Sequence, residues 1–111
     1  MKNYNPDTDD IYYVFNIKDS TGLSLLVSDL TAFKIKAFTN DEVNNFVELT
    51  AEDVIDDQLY IPTGRLSELN PGPLRFRFFI GVEDERYPDS VYNTTHLKLT
   101  GYYVKKTKQS R

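Results

Sequence analysis

Apolar and polar residues alternate with a period of two over most of this chain, and no window longer than about ten residues keeps the i, i+3, i+4 spacing of an amphipathic helix. In Asp10–Lys18, Ile11, Tyr13, Phe15 and Ile17 take one face and Tyr12, Val14, Asn16 and Lys18 the other. The segment closes at Asp19-Ser20-Thr21-Gly22, so a first strand and a tight turn are expected. Further strands are expected at Leu23–Val27, at Leu30–Thr39 with Phe33, Ile35 and Ala37 opposite Lys34, Lys36 and Phe38, and at Phe46–Leu49 after the Asn-rich break Asn40–Asn45. Thr50–Asp57 reads as a loop and Gln58–Pro62 as a short strand. Leu66 and Leu69 stand at i, i+3 within Thr63–Leu69, the spacing of one helical turn, which Asn70-Pro71-Gly72-Pro73 would end. The strongest alternation is Leu74–Val82, with Leu74, Phe76, Phe78, Ile80 and Val82 opposite Arg75, Arg77, Phe79 and Gly81; it predicts a central strand. Glu83–Asn93 reads as an acidic loop and Thr94–Val104 as the last strand, with Leu97, Leu99 and Tyr103 facing away from His96, Lys98, Thr100 and Tyr102.

Six or seven such strands of about five or six residues have the spacing of an antiparallel sandwich. The expected fold is therefore all-β: an antiparallel immunoglobulin-like β-sandwich with one short helical turn near 63–69. An arm at 1–10, the sandwich at 11–104 and a basic tail at 105–111 complete the organisation. A small OB-type barrel is the alternative, but the longer helix and basic face common in such barrels are not visible in the sequence. At 111 residues the chain has room for one core. Its 40% apolar and 14% aromatic content is too high for a disordered chain.

Charge narrows the function classes. Thirteen basic residues against 17 acidic ones give a net of −4, which argues against a general nucleic-acid binder. No run approaches the roughly 20 apolar residues of a membrane helix, and the opening MKNYNPDTDD lacks the apolar core of a secretory signal. With no cysteine and the single histidine His96, neither a thiolate nucleophile nor a zinc site of the usual type can be assembled. His96 alternates in phase with Lys98 and Thr100 and is expected on a solvated outward face. Two acidic clusters, Glu83, Asp84, Glu85 and Asp89 and then Glu52, Asp53, Asp56 and Asp57, have carboxylates for a cation but fit no EF-hand spacing. No catalytic residue, cofactor or metal site is assigned.

The outward positions are more informative. With the faces assigned as above, Tyr12, Val14, Phe38, Phe79, Tyr102 and Val104 all fall outward, and several large outward aromatics suggest contact with other chains. The arm Met1–Asp9 has no periodicity and is expected to order against a partner. The end carries Lys105, Lys106, Lys108 and Arg111, leaving nine bases against 17 acids elsewhere, so a cationic end could clasp a neighbouring copy. Tyr12, Val14, Phe38, Phe79, Tyr102, Lys105 and Lys106 are the candidate interface residues.

Three runs carry a resemblance: Phe15-Asn16-Ile17-Lys18-Asp19-Ser20-Thr21-Gly22, then Leu69-Asn70-Pro71-Gly72-Pro73-Leu74-Arg75-Phe76-Arg77-Phe78, then Tyr87-Pro88-Asp89-Ser90-Val91-Tyr92-Asn93. In this order of strand, turn, crossover, long strand and Pro-Asp loop the chain resembles small immunoglobulin-like β-sandwich virion proteins of tailed bacteriophages. It is similar to the N-terminal domain of phage baseplate upper proteins and to short structural proteins of Bacteroidetes phages. The resemblance implies a non-enzymatic capsid-bound, fibre-anchoring or tail-adaptor subunit in the virion, assembled in the host cytoplasm, whose partners are other virion proteins and copies of itself. The chain departs from the baseplate pattern in lacking a large receptor-binding region. Two other classes stay open on the residues: a carbohydrate- or ligand-binding module with Tyr87, Tyr92 and Tyr102 as its platform, and an enzyme accessory subunit with a calcium-stabilised acidic loop.

Overall fold

The computed structural model describes residues 1–18 and 21–106. Among them the strands in chain order are β1 (Lys2–Tyr4), β2 (Ile11–Val14), β3 (Ile17–Lys18), β4 (Ser24–Leu25), β5 (Ala32–Phe38), β6 (Phe46–Leu49), β7 (Val54–Ile55), β8 (Gln58–Ile61), β9 (Gly72–Glu83) and β10 (Val91–Val104). They form a five-stranded sheet in the order β1-β10-β9-β5-β6, a three-stranded sheet β2-β8-β7 and a two-stranded ribbon β3-β4. The fold is all-β: among the described residues the helical segments are 3₁₀ turns at Val27–Asp29, Ala51–Asp53 and Pro88–Ser90.

The alternation in β9 sets the core. Leu74, Phe76, Phe78 and Ile80 are buried, and β9 lies in the middle of the main sheet between β10 and β5. Residues directly opposite on antiparallel strands share a face, so Ile35 and Ala37, paired with Phe78 and Phe76, complete the inner surface. The second layer supplies Ile11, Tyr13, Phe15 and Ile17, as their period predicts. Tyr13 meets Phe76 edge-on at 5.1 Å, and Phe15 meets Phe78 at 5.3 Å, a geometry that adds to plain area burial. Leu66 and Leu69 close one side at 0% exposure.

Several expectations are corrected. The 63–69 segment is a run of hydrogen-bonded turns rather than a helical turn, because Gly64 sits at φ +88°; Leu66 and Leu69 still reach the core. The first strand is two short ones, β2 and β3, paired with different sheets. The 50–57 loop holds β7, joined to β8 by Asp56 and Asp57 with φ of 52° and 63°. Two central residues at positive φ make the two-residue turn that matches strand twist, and Asp tolerates that conformation better than most residues. The pairing is not antiparallel throughout, and the opening residues do not wait for a partner: β1 runs parallel to β10, with Tyr4 1% exposed opposite Val104. Of the turn cluster, Asp19 and Ser20 lie outside the described residues, as do Lys108 and Arg111 of the basic tail.

Gly72 is required by a close approach. Its φ is +152°, and a Cβ there would come within 2.7 Å of the Asn40 side chain, which donates to Pro71 O at 2.9 Å. The same contact ties the β5–β6 connection to the start of β9. Asp41 organises that connection by accepting from the backbone of Val43 and Asn44, and the Asn44 bonds hold its carboxyl below the usual range.

Two measurements check this packing. Phe76→Ala or Phe78→Ala should each lose about 3–5 kcal/mol in urea melts, since a large cavity opens under the central strand. Tyr4 carries a buried hydroxyl without a hydrogen-bond partner, and burial, with Asp9, Asp10 and Asp7 adding negative potential, pushes it up to about 12. A raised folded pKa keeps its contribution intact below about pH 10 and loses it between about pH 10 and 12. Tyr4→Phe should therefore stay within about 1 kcal/mol of wild type or exceed it at pH 7, and should flatten the alkaline fall in stability. An unchanged alkaline limb would show that other tyrosines, Tyr13 first among them, carry that fall.

Candidate functional site

The surface that stands out is the first two-thirds of β10, and its geometry follows from its register on β9. Tyr92, Thr94, His96 and Lys98 lie opposite Val82, Ile80, Phe78 and Phe76, so they point to the core side of the sheet. Leu97 and Leu99, opposite Arg77 and Arg75, point outward and are 48% and 73% exposed. The phase is thus the reverse of the expected one. His96 sits on the inner side, yet it is exposed, at the wall of a hollow that it shares with Ile17 and Lys18. Tyr102 and Val104 are corrected with it. Both keep the inner phase, Tyr102 packing edge-on to Tyr4 at 6.1 Å and Val104 fully buried.

A bulge between Leu99 and Tyr103 separates these halves. Gly101 provides the turn at φ +82°, while Thr100 Oγ1 donates to Leu74 O at 2.8 Å and accepts from Tyr102 N at 3.1 Å. Bulges bend a strand and disrupt its ladder locally, and here the pairing with β9 resumes at Tyr103. Here the bulge marks where β1 takes over the outer edge of β10, which it covers only at Tyr102–Val104.

Among the described residues, no strand pairs with the outer side of Val91–Leu99. Gly81 O accepts from Thr31 N at 2.9 Å, toward β5, and Ser90 O accepts from Asp84 N at 2.9 Å across the β9–β10 turn. An antiparallel residue directs its N–H and C=O to the same side, so the even residues of β10 bond to β9. Val91, Asn93, Thr95, Leu97 and Leu99 aim theirs away from the sheet. Such an edge is a template for another strand.

Beneath the edge, two adjoining hollows of about 450 and 480 Å³ share Ile17, Lys18, Ile80 and His96. Phe15 and Phe78 line the first beside Lys98, and Tyr87 and Tyr92, 5.1 Å apart, line the second. Asp84 is taken up by Arg86, whose side-chain bonds hold its carboxyl at about 2. Asp53 accepts from Thr50 N and Asp57 from Val27 N. Three of the clustered acids, Asp53, Asp57 and Asp84, thus serve their own backbone and neighbours. Among the described residues no three His, Asp or Glu side chains converge as a metal site.

The other interface candidates do not meet on one surface. Tyr12 and Val14 are 49% and 61% exposed on the three-stranded sheet, Tyr12 against Tyr60 at 5.1 Å. Phe79 faces outward on the main sheet but is half-buried, with Lys34 Nζ 5.0 Å from its ring centre. Phe38 is corrected to buried at 4%: Arg75 and Phe46 lie opposite it on the same face, and their long side chains shield it. Lys105 and Lys106 are exposed; the Lys105 backbone donates to Tyr4 O, and Lys106 Nζ donates to Ser67 O. Of the three platform tyrosines, Tyr87 and Tyr92 come together and Tyr102 lies beyond the bulge.

No protein-family model, curated protein or solved structure matches this chain. Among the described residues no helix is long and apolar enough to cross a membrane.

The phase of β10 has a direct check. Leu97→Ser and Leu99→Ser should leave the unfolding free energy from urea melts within about 0.5 kcal/mol of wild type, as exposed positions do. Val104→Ala should cost more than about 1 kcal/mol, because it removes two methyl groups from a filled site. The opposite ranking would restore the phase expected from the sequence.

Proposed function

We propose that this chain is a non-enzymatic structural subunit of a tailed-phage virion, a capsid-bound, fibre-anchoring or tail-adaptor protein of the immunoglobulin-like sandwich type, working through protein–protein contacts. The observation that supports the contact-making part is the open edge of β10, where unpaired backbone groups lie beside exposed Leu97 and Leu99. A folded protein that stays alone normally blunts such an edge with charge, proline or a covering segment. Here the covering segment, β1, guards only the far end. The virion assignment rests on the resemblance of the turn and corner segments. Its partners would be other virion proteins, with no cofactor.

A ligand-binding module is the second reading, favoured by the Tyr87–Tyr92 pair over the groove. It predicts that Tyr92→Ala abolishes binding on a glycan array while particle incorporation is unaffected.

Incorporation itself tests the first reading. Leu97→Pro removes an N–H aimed away from β9, so the ladder of the fold should survive. In particles purified from cells carrying the complete set of virion genes, mass spectrometry should find the wild-type chain and miss Leu97→Pro, although the variant keeps its thermal transition. Absence of the wild-type chain from particles would overturn the virion reading, and full incorporation of Leu97→Pro would overturn the role of the edge.

A further inference from the structure

We propose that the open edge of β10 pairs with the same edge of a second copy of this chain, antiparallel, about a two-fold axis at Thr95. The proposal rests on the reading of this edge as an assembly surface and names its first occupant. Three observations select a second copy over an unrelated strand.

The first is length. The free stretch begins at Val91, directly after the turn closed by Asp84 and Ser90, and ends at the bulge past Leu99, where β1 takes the edge. An axis at Thr95 sets Val91 opposite Leu99 of the other copy and uses the whole stretch in both copies, without running into β1 or the turn.

The second is backbone direction. Pairs that exchange both backbone hydrogen bonds must both point at each other. Val91 with Leu99, Asn93 with Leu97, and Thr95 with its own copy are all drawn from the residues whose N–H and C=O groups face the open side.

The third is side-chain complementarity. The window VYNTTHLKL holds one charged residue, Lys98, in a chain whose net charge is −4. In this register Lys98 lies opposite Tyr92, Thr94 opposite His96, and Val91 opposite Leu99, so no like charges face each other and a cation meets an aromatic ring. The acidic segments of the two copies stay outside the seam. Pairing would also cover Leu97 and Leu99 and join the two grooves beneath Tyr92 and His96 into one.

A symmetric contact of this kind is self-complementary and closes at two copies. The test is oligomeric state together with register. At about 100 µM, light scattering after size exclusion should give a dimer for the wild type and a monomer for Thr95→Pro with an unchanged melting transition. Thr95→Cys should oxidise to a single disulfide between copies, since Cα atoms of such a pair stand about 5.5 Å apart, within disulfide range. Leu99→Cys, which faces Val91 rather than itself, should cross-link at least about tenfold more slowly; equal rates would overturn the register. A monomeric wild type, or a dimer that survives Thr95→Pro, would overturn the self-pairing. If the wild type is monomeric and Leu97→Pro is still lost from particles, a strand from a different virion protein occupies the edge. The assembly reading then stands and only the self-pairing fails.

Discussion

The register of β10 on β9 governs most of this molecule. β9 is a strand whose inner face is filled by Leu74, Phe76, Phe78 and Ile80, so its orientation has no competing alternative: a slip by one residue would bury Arg75 and Arg77 instead. β10 inherits its phase from that pairing. Its inner positions are therefore Tyr92, Thr94, His96 and Lys98, whatever their own hydropathy would prefer. The polar identity of those residues is tolerated because they line a groove shared with Ile17 and Lys18 rather than a closed core. Past the bulge the same inner phase carries Tyr102 and Val104 beside β1, where the sequence turns apolar again.

That dependence explains which parts of the fold could be read in advance. β5 and β9 each have one apolar and one largely polar face, and period alone orients them. β10 has Leu97 and Leu99 on one face and aromatics on both, so its period is a poor guide to its phase. What distinguishes it in the sequence is the want of a consistent apolar face over Val91–Leu99. A strand with no clean face is one that a single layer does not enclose. Phe38 misled for a different reason: it lies on the outward face, but Arg75 and Phe46 flank it and shield it. The β7–β8 hairpin escaped because Asp56-Asp57 is an uncommon pair for a turn with both residues at positive φ.

Electrostatics plays a local part. Lys34 meets Glu48 at 3.2 Å, and Lys36 lies over the Phe46 ring at 4.3 Å, which gives the outer face of β5 and β6 a polar cover. Arg77 reaches back to Glu42 in the β5–β6 connection. Exposed pairs of this kind contribute little to stability, about 1 kcal/mol at most, but they place charge over the sheet surface that most needs to stay in solvent. The charged cover does not extend to β10. The outer face there carries Thr95, Leu97 and Leu99, and the two leucines are among the exposed large apolar residues.

The contrast between the two borders of the outer face bears on function. On the β5–β6 side the border strand is β6, four residues that include Glu48, and short or charged edges discourage pairing with other chains. On the β10 side the strand is long and nearly uncharged, and its guard β1 is placed where the bulge has already bent the edge away. A chain under pressure only to remain soluble would be expected to treat its borders alike. The asymmetry would suit the assembly role proposed above: a four-residue border strand at β6 and, at β10, a longer free stretch bounded by the β9–β10 turn and the bulge.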